Sequence, residues 1–92
     1  MAIENTLNER GTRYGDFKGH SDITQALKET ANMALVLRGK RLMPDQQEAL
    51  DMIFHKIGRI INGDPDYIDS WHDIAGYATL VEQRLSNDIE LS

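Results

Sequence analysis

Four carboxylates at helical spacing are the residues best placed to do chemistry in this chain: Glu48 and Asp51, three apart, and Asp69 and Asp73, four apart. Carboxylates one helical turn apart have Cβ atoms about 5–6 Å from each other. They are then close enough to share a divalent cation, or to repel one another without it. Two such pairs on antiparallel helices offer hard oxygen donors that suit Mg²⁺, which takes a few carboxylates and completes its shell with water and substrate phosphates. Lys56 and Arg59, also one turn apart and beside the acidic line, supply cations for those phosphates. A plainer reading stands beside this one. Asp69 can be a first-turn residue that complements the helix dipole, Asp73 a solvated side chain and Glu48 an N-terminal acid, with Lys56 and Arg59 as flanking ion-pair partners.

Other chemistries are excluded by what the chain lacks. With no Cys there is no disulfide, thiolate zinc site or Cys nucleophile, and a reducing cytoplasm is the expected compartment. No HExxH or comparable zinc spacing, phosphate-cradling loop, dinucleotide fingerprint or nucleophilic triad occurs. His55 and His72 read as surface or core-edge side chains, and His20 carries no signal of its own. Fifteen acidic against ten basic residues leave a formal charge of -5, a field that repels a phosphate backbone, so no nucleic-acid polymer is expected as partner. The N-terminal Met1-Ala2-Ile3-Glu4-Asn5 does not lead into a basic and then apolar stretch, and no window approaches ~18 apolar residues, so neither export nor membrane insertion is expected.

The elements that must position these residues are helices. Ninety-two residues make one domain that buries only about 60–65% of its unfolded surface, which makes oligomerisation an expectation from the start. Residues 1–20 read as a short helix, from Ile3 and Leu7, followed by the loop from Gly11 to His20. That loop packs Tyr14 and Phe17 on the helices with Arg13, Asp16 and Lys18 at its rim, either as an ordered lid or as a ligand-contacting loop through Arg13 and Tyr14. Ser21 caps a helix over 21–38 in which Ile23, Ala26, Leu27, Thr30, Ala34 and Leu37 recur at helical spacing. Gly39 suits its left-handed C-terminal residue; Arg38, Lys40 and Arg41 suit the negative end of its dipole, or a phosphate.

Pro44 opens a second helix, 44–62. Leu50, Ile53, Phe54, Ile57, Ile60 and Ile61 cluster on one side as core, and Glu48, Asp51, His55 and Arg59 align on the other as solvated surface or site wall. Gly63 closes it, Gly63-Asp64-Pro65 turns the chain, and a third helix spans 66–85 with Tyr67, Trp71, Ile74, Ala78, Val81 and Leu85 as its apolar stripe. Gly76 costs about 1 kcal/mol relative to Ala unless close contact offsets it. With Leu80 on the same side, it suggests a helix covered twice, by the N-terminal segment or by a second copy. A polar tail, 86–92, completes an all-α domain of three to four helices in antiparallel hairpins.

The run from His55 to Pro65, the run from Asp69 to Ala78, and Arg13-Tyr14-Gly15-Asp16-Phe17 upstream resemble a group of small phage and prophage proteins of poorly defined function. That group resembles, more distantly, the MazG-like all-α nucleoside triphosphate pyrophosphohydrolases. The resemblance implies a MazG-like helical homo-oligomer, a dimer or tetramer, with Mg²⁺ held by Glu48, Asp51, Asp69 and Asp73 and a nucleotide cut between its α and β phosphates. By position, Lys56 and Arg59 would contact phosphates. Two departures matter: Asp51 stands where that family has Glu, and Ser70 stands three residues before Asp73, where it has an acid, so that Asp69 would have to substitute. A non-catalytic nucleotide-binding module and a purely structural helical oligomer are the alternatives.

Overall fold

A computed structural model describes residues 13–91. The expected helix around Ile3 and Leu7 lies outside them. Among the described residues the chain is all-helical and has no strand: α1 (Phe17–Leu37), α2 (Pro44–Asn62) and α3 (Ile68–Leu91). None of these helices is long and apolar enough to cross a membrane.

The helix ends are set by local chemistry. α1 starts a turn earlier than Ser21, because Asp16, with extended backbone (φ −77°, ψ 151°), accepts the Gly19 N–H at 3.2 Å and is the N-cap. Ser21 sits one turn into the helix and donates to the Phe17 carbonyl at 2.8 Å. α1 ends as expected at Gly39, whose φ of +60° is left-handed. The Gly39 N–H donates to Val36 O (3.1 Å) and the Lys40 N–H to Leu35 O (2.9 Å), the paired bonds of a Schellman ending. α2 begins at Pro44, with the Gln46 side chain accepting the Met43 N–H at 2.9 Å.

The bend between α2 and α3 is an Asx turn: Asp64 Oδ1 accepts the Asp66 N–H at 2.9 Å, the Tyr67 N–H donates to Asp64 O at 3.3 Å, and the Trp71 indole donates to Pro65 O at 2.8 Å. These bonds delay the start of α3 from Asp66 to Ile68. At its other end α3 runs through the expected tail as far as Leu91. Arg84 holds it there, donating to Asp88 one turn on (3.0 Å) and reaching the start of α2 through two bonds to Asp45 (2.7 and 2.9 Å).

α2 is the central helix. It packs antiparallel against both neighbours, while α1 and α3 do not touch. A helix with neighbours on two sides has no single core face, and this corrects two expectations. His55 and Arg59, on the supposed outer line of α2, are half-buried, and Ile61, on the supposed core side, is 62% exposed. On α3 the deepest residue is Ser70, 3% exposed, whereas Trp71 is 54% exposed and Ala78 faces out.

Three helices in such an open arrangement enclose almost nothing. Among the described residues Ala49 is the one buried hydrophobic side chain, while Phe17, Val36, Leu37, Ile68 and Leu80 are among many left exposed. The radius of gyration is 15.9 Å, against about 12 Å for a compact chain of this length.

Candidate functional site

The motif residues gather where the segment before α1, the end of α2 and the start of α3 meet. The backbone is fitted there first. Asn62, the last residue of α2, donates from its side-chain amide to the carbonyls of Tyr14 (3.0 Å) and Asp16 (2.8 Å), and the Asp64 N–H donates to Arg13 O at 2.6 Å. Gly63 allows this approach: a Cβ there would overlap the Arg13 carbonyl and the Tyr14 Cα. Its φ of −127° is not left-handed, so closeness rather than helix ending requires the glycine.

Side chains stack over this joint. The Arg13 guanidinium lies over the Tyr67 ring at 4.5 Å and donates to the Tyr67 hydroxyl. Tyr67 in turn donates to Asp69 Oδ2 at 2.9 Å. That carboxylate bond, the largest influence on the phenol, raises the Tyr67 pKa above its ordinary value. Arg59 lies over the Tyr14 ring at 4.4 Å, and the Tyr14 and Tyr67 rings meet edge to face at 5.9 Å. Arg13, Tyr14, Arg59 and Asp69 are therefore brought into one cluster. The cations hold this chain's own aromatic rings together.

Lys56 and Asp73 form a second joint, between α2 and α3. The Lys56 ammonium is 2.9 Å from Asp73 Oδ2, with its own side chain 11% exposed. The Lys56 hydrogen bond holds the Asp73 carboxyl below the usual carboxylate range. The other two carboxylates stand elsewhere. Asp51 accepts a bond from Gln47 one turn earlier at 3.0 Å, and Glu48 is exposed.

Among the described residues no group of three or more His, Asp or Glu side chains lies close enough to hold a metal ion. Glu48, Asp51, Asp69 and Asp73, all described, thus do not converge within one chain. Ser70 explains part of this. It is buried, so a carboxylate in its place would need a partner inside the packed joint.

A pair that spacing did not reveal lies at the α1–α2 crossing. His20 is 6% exposed, and its Nε2 is 3.4 Å from His55 Nδ1, with the rings at right angles. Thr24 Oγ1 is 3.5 Å from the same His20 nitrogen. His20 Nδ1 is buried without a hydrogen-bond partner; the Gly58 backbone favours the protonated ring weakly but does not accept a bond from it. Burial, then the nearby Arg59, lowers the His20 pKa. Burial, then His20, Arg59, Lys56 and Lys28, lowers that of His55. Gly58 was the available sign of this crossing, since a Cβ there would stand 2.6 Å from Thr24 Oγ1 and 2.9 Å from His20 Nδ1.

No curated protein and no solved structure matches the chain. A family model matches residues 1–85, nearly the whole length, and the chain belongs to that family, described as a domain of unknown function (DUF6378).

Proposed function

We propose that the working unit is a homo-oligomer of this chain, a dimer or tetramer in which helices of different copies complete one another's core. One observation carries this: Ala49 is the sole buried hydrophobic residue among those described, while Val36, Leu37, Ile68 and Ile89 are each at least 75% exposed. Burial of apolar surface is the main force that opposes chain entropy. An all-α layer without an enclosed core lacks that force until a second layer covers it. Sedimentation at micromolar concentration tests this. A folded species of twice the chain mass or more is expected, and a fully helical, cooperatively unfolding monomer would overturn it.

A second reading, that the oligomer binds a nucleotide, is supported by the convergence of Arg13, Tyr14 and Arg59 at one joint with Lys56 a turn away. Among the described residues no shared carboxylate site for Mg²⁺ forms: Asp73 is neutralised by Lys56, Asp69 is engaged by Tyr67, and no third described carboxylate joins either. The nucleotide reading is therefore taken in its non-catalytic form: a phage-type, MazG-like module that holds a nucleotide without metal-dependent pyrophosphohydrolysis. Calorimetry with each dNTP, with and without Mg²⁺, separates the outcomes. Binding indifferent to Mg²⁺ supports the module. Pyrophosphate release that requires Mg²⁺ would restore the hydrolase, and absence of binding removes the ligand altogether.

A further inference from the structure

Asn62, which ties the segment before α1 to the end of α2, is followed in the chain by Gly63. In an unconstrained chain this is the pair in which asparagine most readily loses its side-chain nitrogen, because a residue without a side chain leaves its backbone nitrogen open to attack the preceding amide carbon. The reaction balances with water alone. The Gly63 nitrogen bonds to Asn62 Cγ, its proton departs with the side-chain nitrogen as ammonia, and one water opens the resulting five-membered imide to aspartate or isoaspartate. The other asparagines, Asn5, Asn8, Asn32 and Asn87, precede Thr, Glu, Met and Asp, whose side chains crowd the attack.

The fold holds the pair away from this chemistry. Asn62 is the last residue of α2 and is half-buried, and the imide ring does not close on helical backbone torsions. The Gly63 N–H, which would have to give up its proton, is held by Arg59 O at 2.9 Å. The amide itself donates to Tyr14 O at 3.0 Å and to Asp16 O at 2.8 Å. Two glycines make room for it there: a Cβ on Gly15 would stand 2.5 Å from Asn62 Nδ2, and one on Gly19 2.5 Å from Asn62 Oδ1.

Loss of the amide would reverse these contacts. An ionised carboxylate has no hydrogen to donate, so aspartate at position 62 would set negative charge against the carbonyls of Tyr14 and Asp16. Isoaspartate lengthens the main chain by one carbon beside Gly63, where a Cβ would already overlap the Arg13 carbonyl and the Tyr14 Cα. The new charge also lies one turn from Arg59 and competes for the guanidinium that covers the Tyr14 ring at 4.4 Å.

We propose that Asn62 is a covalent modification site that acts as a one-way latch: its amide is protected while residues 13–16 are seated against α2, and once they lift, conversion to aspartate or isoaspartate keeps them from reseating.

Mass spectrometry with peptide mapping follows the conversion in the full chain. At one pH it should be about tenfold or more slower in native buffer than in denaturant, as for a group that reacts only through opening. Gly15→Ala, whose methyl would overlap the Asn62 carbonyl, should unseat the segment and bring the native rate toward the unfolded one. Asp45→Asn, which weakens the remote bonds to Arg84, should leave the native rate unchanged. Converted wild type, separated by its added charge, and freshly made Asn62→Asp should both show faster amide exchange at residues 13–16 than unconverted wild type. Absence of conversion in denaturant would overturn the site, and equal rates in native buffer and denaturant would overturn its protection. Acceleration by Asp45→Asn in step with its loss of global stability would overturn the link to residues 13–16. Unchanged exchange at residues 13–16 in Asn62→Asp would overturn the latch; this and the wild-type rates stand even if Gly15→Ala does not fold.

Discussion

His20 Nε2 and His55 Nδ1 face each other at 3.4 Å across the α1–α2 crossing, and both rings have pKa values below the ordinary histidine value. Only one of two nitrogens so close can carry a proton without repulsion, and Arg59, Lys56 and Lys28 add positive charge around them. The fold therefore binds fewer protons here than the unfolded chain does. Stability from this pair is complete above the unfolded value of 6.5 and is lost as pH falls below it toward the folded values. The thermal midpoint should be flat from pH 8 to 7 and drop between pH 6.5 and 5. His55→Gln should flatten that drop. The lowered carboxylates Asp45 and Asp73 act only below their ordinary value of 3.8, so they do not share the window. A midpoint insensitive to pH across 7 to 5 in the wild type would contradict the pairing.

Gly58 and Gly76 should respond to alanine with opposite signs. At Gly58 the new methyl would meet Thr24 Oγ1 at 2.6 Å and His20 Nδ1 at 2.9 Å, atoms fixed at a helix crossing. Overpacking of that kind costs about 1–3 kcal/mol, more than the ~1 kcal/mol that alanine gains over glycine in a helix. At Gly76 nothing lies within 4 Å, and only the gain remains. Denaturant unfolding should show Gly58→Ala destabilised and Gly76→Ala stabilised by up to about 1 kcal/mol. A destabilised Gly76→Ala would mean that a second copy approaches that face, as the expectation of close contact at Gly76 held.

The helices were legible because Pro44, Gly39 and the apolar spacing act locally. The start of α1 was not, because Asp16 caps through Gly19 inside a glycine-rich loop, and a capping bond weighs more than the capping preference of Ser21. The candidate site was half legible. Arg13, Tyr14, Arg59 and Asp69 gather at one joint and Lys56 meets Asp73 at another, yet as stacked rings, a hydroxyl bond and one pair of opposite charge rather than as a carboxylate cluster. Periodicity places residues on faces of a helix but not the rotation of one helix against the next. A rotation of that kind set Lys56, rather than Asp51, opposite Asp73. His20 was missed for the same reason, since its partner lies 35 residues away.

Asn62 ties the segment before α1 to the α2–α3 bend. Its side-chain amide donates to the carbonyls of Tyr14 and Asp16, the second of which also accepts the His20 N–H at 3.1 Å. Asn62→Ala should cost about 1–3 kcal/mol and release the cluster as a unit. The Arg13–Tyr67 and Arg59–Tyr14 stacks depend on that segment's position. Amide exchange should accelerate at residues 13–16 and at Tyr67, with the α2–α3 pairing at Arg84 and Asp45 unaffected. Exchange that rises evenly along the chain would show a general loss of stability instead.

Lys56→Met should raise the pKa of Asp73 back toward the carboxylate value of 3.8, read from its side-chain carbon resonance during acid titration. The present depression is caused first by the Lys56 hydrogen bond, so Asp73 contributes stability that is whole above 3.8 and disappears as pH falls through its lower folded value. Removing Lys56 takes away the largest cause of that contribution, leaving the weaker influence of His72 and Arg59, while a methionine keeps most of the packing volume in a nearly buried position. The same variant distinguishes an ammonium that merely pins two helices from one that takes the place of a cation. If Asp73 needs positive charge at this joint, millimolar Mg²⁺ should raise the unfolding midpoint of Lys56→Met and leave wild type unmoved. Equal response of the two proteins to Mg²⁺ would show that Lys56 only pairs the helices, and an Asp73 pKa unchanged in Lys56→Met would remove the ion pair itself.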